Sequence, residues 1–209
     1  MTSSTFRATC LLTVVLLLAL AATPSFSSNF VGTGAGLACG APPGVSDPNY
    51  TLTSAPFPGP YDARTTAPNL PGWVVPPSGY CWINPYGDGT VDAPSGDYHY
   101  QITFDWSGNI SAEFAADNDA KIYLNGVYTG IETLNGVFGF EQFTPFTITD
   151  LTPGWHSGSN TLDFVVNNWV DIPLATGLLV VPTPEPSSLV IFGSGVLAVA
   201  GLLRRKINL

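Results

Sequence analysis

"YHYQITFDW", residues 98–106, decides the fold. Tyr98, Tyr100, Ile102, Phe104 and Trp106 alternate with His99, Gln101, Thr103 and Asp105. Successive side chains of a strand leave opposite faces, so apolar residues at every second position mark a strand with one face buried. The pattern recurs downstream. "NISAEFA" places Ile110, Ala112 and Phe114 on one face, and "TLDFVVNNW" does the same with Leu162, Phe164 and Val166. "FTPFTI" and "GLLVV" add two further runs. In "KIYLNGVYTG", Asn125-Gly126 separates two short strand-like runs and is a strong local signal for a tight hairpin. Upstream, prolines at 56, 58, 60, 68, 71, 76 and 77 exclude long helices and leave loops with edge strands. Several short strands divided by turns, with no helix outside the termini, predict an all-β antiparallel β-sandwich of jelly-roll type, a closed barrel being the alternative. Trp82 and Trp106 fall within strand patterns and are expected in the core.

The 209-residue chain is long enough for one such domain with terminal segments. Arg7 followed by "CLLTVVLLLALAA" has the form of a secretory signal, with Ala19-Leu20-Ala21 as small-x-small and cleavage expected after Ala21. The alternative is an uncleaved anchor. Residues 1–21 are thus read as a signal helix, and residues 22–46, including "GTGAGLACGAPPG", as a flexible arm. Residues 47–181 form the sandwich domain and residues 182–209 the tail. Export places Cys39 and Cys81, the even pair left once Cys10 departs, in a compartment that permits oxidation, and a disulfide between them is expected. Separate thiols are the alternative. The bases cluster at the ends: Arg64 and Lys121 alone stand against fourteen acids in residues 22–183, a formal charge of −12. Such a surface repels phosphate backbones and excludes nucleic acid as a partner.

From Leu189 to Leu203 no residue is charged. At ~1.5 Å per residue a helix there covers roughly 22 Å. Ser187 and Ser188 before it and snorkelling Arg204 and Arg205 after it extend the fit to the bilayer, giving a transmembrane helix over 187–203 with a cytoplasmic basic end. Pro184-Glu185-Pro186, the apolar span and Arg204-Arg205-Lys206, in that order, resemble the PEP-CTERM sorting signal of Gram-negative bacteria. The resemblance implies that an exosortase, a multi-span membrane enzyme, acts near Pro184-Glu185-Pro186 and passes the protein to the cell surface or an exopolysaccharide matrix. Until then the C-terminal helix anchors it in the membrane.

A second resemblance covers residues 47–181. The ordered segments "DPNYTL", "GYCWINP", "YHYQITFDW", "ADNDAKIYLNG", "FTPFTIT", "SGSNTLDFVVNNW" and "ATGLLVV" look like a galactose-binding-like jelly-roll domain. Where similar domains carry a basic or polar residue late in the last strand, this chain has "GLLVV". The fold implies no single ligand, because its members bind sugars, lipids or proteins.

Candidate site residues follow from residue chemistry. Trp73, Trp155 and Trp169 fall in or beside turns, where flat faces with polar edges suit stacking on sugars, although core or edge packing is the favoured reading for each. Asp117, Asn118 and Asp119 offer the oxygens calcium prefers, but without a closing Glu a plain turn beside the hairpin is the preferred reading. No other cofactor is expected. His99 on the polar face of a strand and His156 in a Gly-rich turn lack a neighbouring nucleophile motif; no GxSxG, HExxH or P-loop occurs, and Glu113 and Glu141 cannot be placed as a catalytic pair. The leading expectation is an exported, non-enzymatic surface or matrix protein that binds polysaccharide weakly through its loops. The alternatives are an envelope protein that binds another protein, and a secreted hydrolase of unrecognised type.

Overall fold

A computed structural model describes residues 30–40, 44–67, 69–105, 108–169 and 175–183. The signal helix over 1–21, the transmembrane helix over 187–203, the sorting residues Pro184, Glu185, Pro186, Arg204, Arg205 and Lys206, and Trp106 all lie outside the described residues. Among the described residues no helix is long and apolar enough to cross a membrane.

Among the described residues ten strands carry the fold: β1 (Thr51–Ser54), β2 (Arg64–Thr65), β3 (Ile83–Asn84), β4 (Gly96–Asp105), β5 (Ile110–Asp117), β6 (Asp119–Leu124), β7 (Val127–Glu132), β8 (Thr144–Ile148), β9 (Ser159–Asn168) and β10 (Gly177–Pro182). They form two five-stranded sheets, ordered β1-β4-β9-β6-β7 and β2-β3-β10-β5-β8. Every pairing is antiparallel. From β4 onward the chain alternates between sheets, except at the β6–β7 hairpin, where Asn125 (φ 50°) and Gly126 (φ 80°) both take the positive φ that a tight two-residue turn needs. The sandwich therefore agrees with the alternation seen in the sequence. A three-residue 3-10 turn at Gly136–Phe138 is the sole helical element among the described residues.

The core lies between the sheets. Tyr98, Tyr100, Ile102 and Phe104 of β4 and Leu162, Phe164 and Val166 of β9 face Ile110, Ala112 and Phe114 of β5, Phe146 and Ile148 of β8, and Leu178 and Val180 of β10. Phe146 meets Phe114 and Phe164 edge-on at 5.8 and 5.9 Å, the geometry aromatic quadrupoles favour. Each large side chain so buried contributes about 1.5–3 kcal/mol. Pro145 interrupts β8 without penalty because β8 is an edge strand and needs no outward N–H donor. The proline-rich stretch likewise yields the edge strand β2.

The two outer faces differ. On the second sheet, Ala115, Leu179 and Val181 point outward yet are buried, together with Trp82, under Trp73, Val74, Tyr80, Phe140 and Phe143. Burial on both sides explains why β10 reads as a continuous apolar run rather than an alternating one. The cover fits closely: a Cβ at Gly177 would stand 2.8 Å from the Trp73 ring, so the position needs glycine. On the first sheet, the outward positions of β4, β6 and β9 are exposed or half-buried.

The expected flexible arm over 22–46 is corrected for its described part. Phe30 is in the core, edge-on to Phe104 at 5.9 Å. The Thr33 N–H donates to the Val180 carbonyl at 3.0 Å, and its hydroxyl donates to the Cys81 carbonyl at 2.8 Å. Gly34 N–H donates to Asp47 Oδ2 at 2.6 Å. The small residues that read as looseness instead let the backbone approach Cys81, with a Cβ at Gly34 falling 2.7 Å from the Cys81 Cβ. Cys39 and Cys81 are joined in a disulfide across 42 residues of chain. Closing a loop of that size stabilises the fold by about 4 kcal/mol on the chain-entropy account.

Two tyrosines of the core are predicted to respond oppositely to loss of the hydroxyl. Tyr50 donates to the Val31 carbonyl at 3.0 Å, whereas the Tyr100 hydroxyl is buried with no partner among the described residues. Tyr50→Phe should lower stability by about 1 kcal/mol, and Tyr100→Phe should leave it unchanged or raise it, measured by urea unfolding.

Candidate binding face on the first sheet

Strand parity builds the site. With Tyr98, Tyr100, Ile102 and Phe104 turned inward, β4 presents Asp97, His99, Gln101, Thr103 and Asp105 outward. β9 presents Thr161, Asp163, Val165 and Asn167, and β6 presents Asp119, Lys121 and Tyr123. Register then sets these residues in rows across the sheet. Asp97 and Asp119 both stand opposite Asn167, His99 and Lys121 both oppose Val165, and Gln101 and Tyr123 both oppose Asp163.

Side-chain bonds hold the rows in place. Asn167 Nδ2 donates to Asp97 Oδ1 at 2.6 Å. His99 Nδ1 lies 2.9 Å from Asp163 Oδ2 in a half-buried pair. At the end of β9, Trp169 is 49% exposed, so its ring is available to a partner. Its indole N–H donates to Asp119 Oδ1 at 3.2 Å and its backbone N–H to Asn118 Oδ1 at 2.9 Å. Around this corner a groove of about 360 Å³ is lined by Asp97, Asp119, Lys121, Tyr123, Asn167 and Trp169, among others. Across the hairpin, the Tyr123 and Tyr128 rings pack 5.4 Å apart. A second hollow, of about 600 Å³, lies at the β1 edge beside Thr51, Thr53, Gln101 and Thr103.

The three turn tryptophans separate. Trp73 lies over the outer face of the second sheet, its ring centroid 4.3 Å from that of Trp82, and belongs to the cover. Trp155 is partly buried against the main core. Only Trp169 of the three offers its ring at the groove. The partners it finds there, Asp97, Lys121, Tyr123 and Asn167, went unnoticed as site residues in the sequence. Their outward parity was readable, but the neighbourhood of β4, β9 and β6 was not.

Asp117, Asn118 and Asp119 do not converge. Asp117 ends β5 in the second sheet, and Asp119 begins β6 in the first. Asn118 is the buried crossover between them, its N–H donating to the Asn167 carbonyl at 3.1 Å and its carbonyl accepting from Gly139 N–H at 2.9 Å. Its side-chain oxygen is committed to Trp169. Among the described residues no group of three or more His, Cys, Asp or Glu is placed to hold a metal ion. These residues act instead as the joint that aims Trp169 and Asp119 at the groove. His156 sits in the loop before β9, where its N–H and carbonyl bind the Asn160 side chain.

Comparison with known proteins bears on the tail. The family model for the PEP-CTERM protein-sorting motif matches residues 182–206. The match implies export and processing by an exosortase, a membrane enzyme, with the chain anchored in the membrane beforehand. No curated protein matches the chain.

Burial also makes Asp117 a pH-sensitive element. The residue is 2% exposed, its Oδ1 has no partner among the described residues, and desolvation pushes its pKa up to about 7. Between the ordinary carboxylate range and pH 7 the unfolded chain releases a proton that the folded chain retains. The group therefore lowers stability as pH rises through that window, by at most about 1.4 kcal/mol per pH unit. Asp117→Asn should accordingly melt above the wild type at pH 8, with the gap shrinking steadily towards pH 4. A gap of constant size across a series of thermal melts would contradict this.

Proposed function

We propose that this is a non-enzymatic protein of the cell surface or exopolysaccharide matrix, whose sandwich is a jelly roll of galactose-binding-like type and binds polysaccharide weakly. Destination rests on the sorting motif at residues 182–206. Binding rests on one observation: Trp169 holds its ring exposed at the rim of a groove whose floor is a polar sheet face. An aromatic plane beside carboxylate, amide and ammonium groups is the usual equipment for holding a sugar ring, which has apolar C–H faces and hydroxyl edges. The site in this reading is the sheet face and not the loops. Trp73 and Trp155 have structural work in the cover and the core. The absence of a nucleophile motif around either histidine supports the non-enzymatic part.

An envelope protein that binds another protein is the second reading. It is favoured by the exposed edge strand β7 with Val127 and Tyr128 on show, beside exposed Leu134 and Phe138.

Trp169→Ala should reduce retention on matrix polysaccharide about tenfold, the free energy of one aromatic stacking contact, while urea unfolding stays close to wild type. Unchanged retention would remove Trp169 from the site and favour the protein-binding reading. For the tail, replacing Pro184, Glu185 and Pro186 by Ala should leave an unprocessed, membrane-bound form, detected by fractionation and intact mass. Normal release of that variant would contradict processing at the motif.

A further inference from the structure

The groove beside Trp169 carries a charge pattern that selects among glycans, and reading it rests on the glycan-binding proposal above. Asp97, Asp105, Asp119, Glu132 and Asp163 all lie on the outer face of the first sheet, against Lys121 and His99. Glu132 stands opposite Lys121 in the register, so the one permanent cation has a counter-charge at hand. Asp163 has His99 beside it at 2.9 Å, and the one other Lys or Arg of residues 22–183, Arg64, is paired with Asp62 at 2.6 Å, so among the described residues no Lys or Arg is left over for Asp97 and Asp119.

Two of the carboxylates are half-used. Asp97 Oδ1 takes the Asn167 amide and Asp119 Oδ1 takes the Trp169 indole. No hydrogen bond among the described residues engages the second oxygen of either, and both acids line the groove. They flank Asn167 in a single cross-strand row, which puts them two strand spacings apart, about 10 Å. Each is therefore held in orientation by one bond, with an acceptor left for a donor from outside. A polymer rich in uronic acid would meet repulsion from this face and from the whole domain. A neutral glycan would leave both acceptors with hydroxyl partners alone. A protonated amine offers three donors and a charge to each, and its sugar ring or its ammonium can lie on the Trp169 face.

We infer that the groove formed by Asp97, Asn167, Asp119 and Trp169 binds a cationic amino-sugar polysaccharide, with free amines seated on Asp97 and Asp119. The partner is defined by unacetylated amino groups recurring along an extended chain.

The test is calorimetric titration of the detergent-solubilised full chain with glucosamine oligomers, N-acetylglucosamine oligomers of the same length, and oligogalacturonate. The glucosamine oligomers should bind about tenfold tighter than the acetylated ones, as charge-assisted bonds exceed neutral ones, and the advantage should shrink as salt rises. Asp97→Asn combined with Asp119→Asn should abolish that advantage while Trp169-dependent binding of the acetylated oligomers persists. Equal binding of both amino-sugar series, with Trp169→Ala weakening both, would overturn the charge selectivity and leave the glycan face standing. Tightest binding of oligogalacturonate, or an advantage for free amines that survives the double substitution, would likewise overturn it. Failure of all three oligomers to bind would bring down the glycan reading together with the inference.

Discussion

β9 pairs with β4 through ten consecutive residues on one side and with β6 through six on the other, and this three-strand ladder sets the orientation of everything else on the first sheet. Because side chains alternate with a period of two, the register that buries Tyr98, Tyr100, Phe164 and Val166 is the same one that turns Asp97, His99, Asp163 and Asn167 outward. A slip of one residue would send the aromatics to solvent and the carboxylates into the core. The cost of that exchange, several buried side chains at once, is what pins the polar rows. The polar outer face is thus a by-product of core packing.

The sandwich treats its two outer faces differently, and this asymmetry decides where a ligand can lie. The second sheet is roofed by Trp73, Val74, Tyr80, Phe140 and Phe143, so β10 and the C-terminal half of β5 are buried on both sides. The segment beginning at Phe30 is tied to the same sheet, with Thr33 bridging β10 and Cys81 and the Cys39–Cys81 disulfide fastening it further. Prolines and glycines that look like linker in a one-dimensional reading are here the material of a lid fixed to an apolar sheet. Among the described residues the first sheet has no such roof over the β4, β9 and β6 face, and apart from Val165 its outward residues there are polar or aromatic.

The crossover from β5 to β6 joins these two worlds within three residues. Asp117 is buried without a partner for Oδ1, Asn118 is spent on backbone and Trp169 contacts, and Asp119 emerges at the groove. Trp169 is positioned by both Asn118 and Asp119, so its exposed ring is held by two bonds from the same joint. Oxygen-rich composition makes this triplet a calcium candidate, a plain turn being the preferred reading for want of a closing Glu; in the fold Asp117 ends β5 in one sheet and Asp119 begins β6 in the other.

Much of the protein was legible in one dimension. Strand identity and the inward set of β4, β5 and β9 followed from period-two alternation, the β6–β7 hairpin from Asn125-Gly126, and the disulfide from an even cysteine pair in an exported segment. The sorting tail was readable for the same reason: its signal is local, written in contiguous residues that need no fold to be recognised. What only the tertiary structure decided was adjacency. Asp97, Asp119, Asn167 and Trp169 are scattered over 73 residues of chain, and a strand's periodicity says which face a residue takes but not which strand lies beside it. The same blindness hid the packing of Phe30 to Cys39 and the burial of Trp73, because close approach by small residues depends on what they approach. Local propensity is a property of neighbours in sequence, whereas a binding face is a property of neighbours in space.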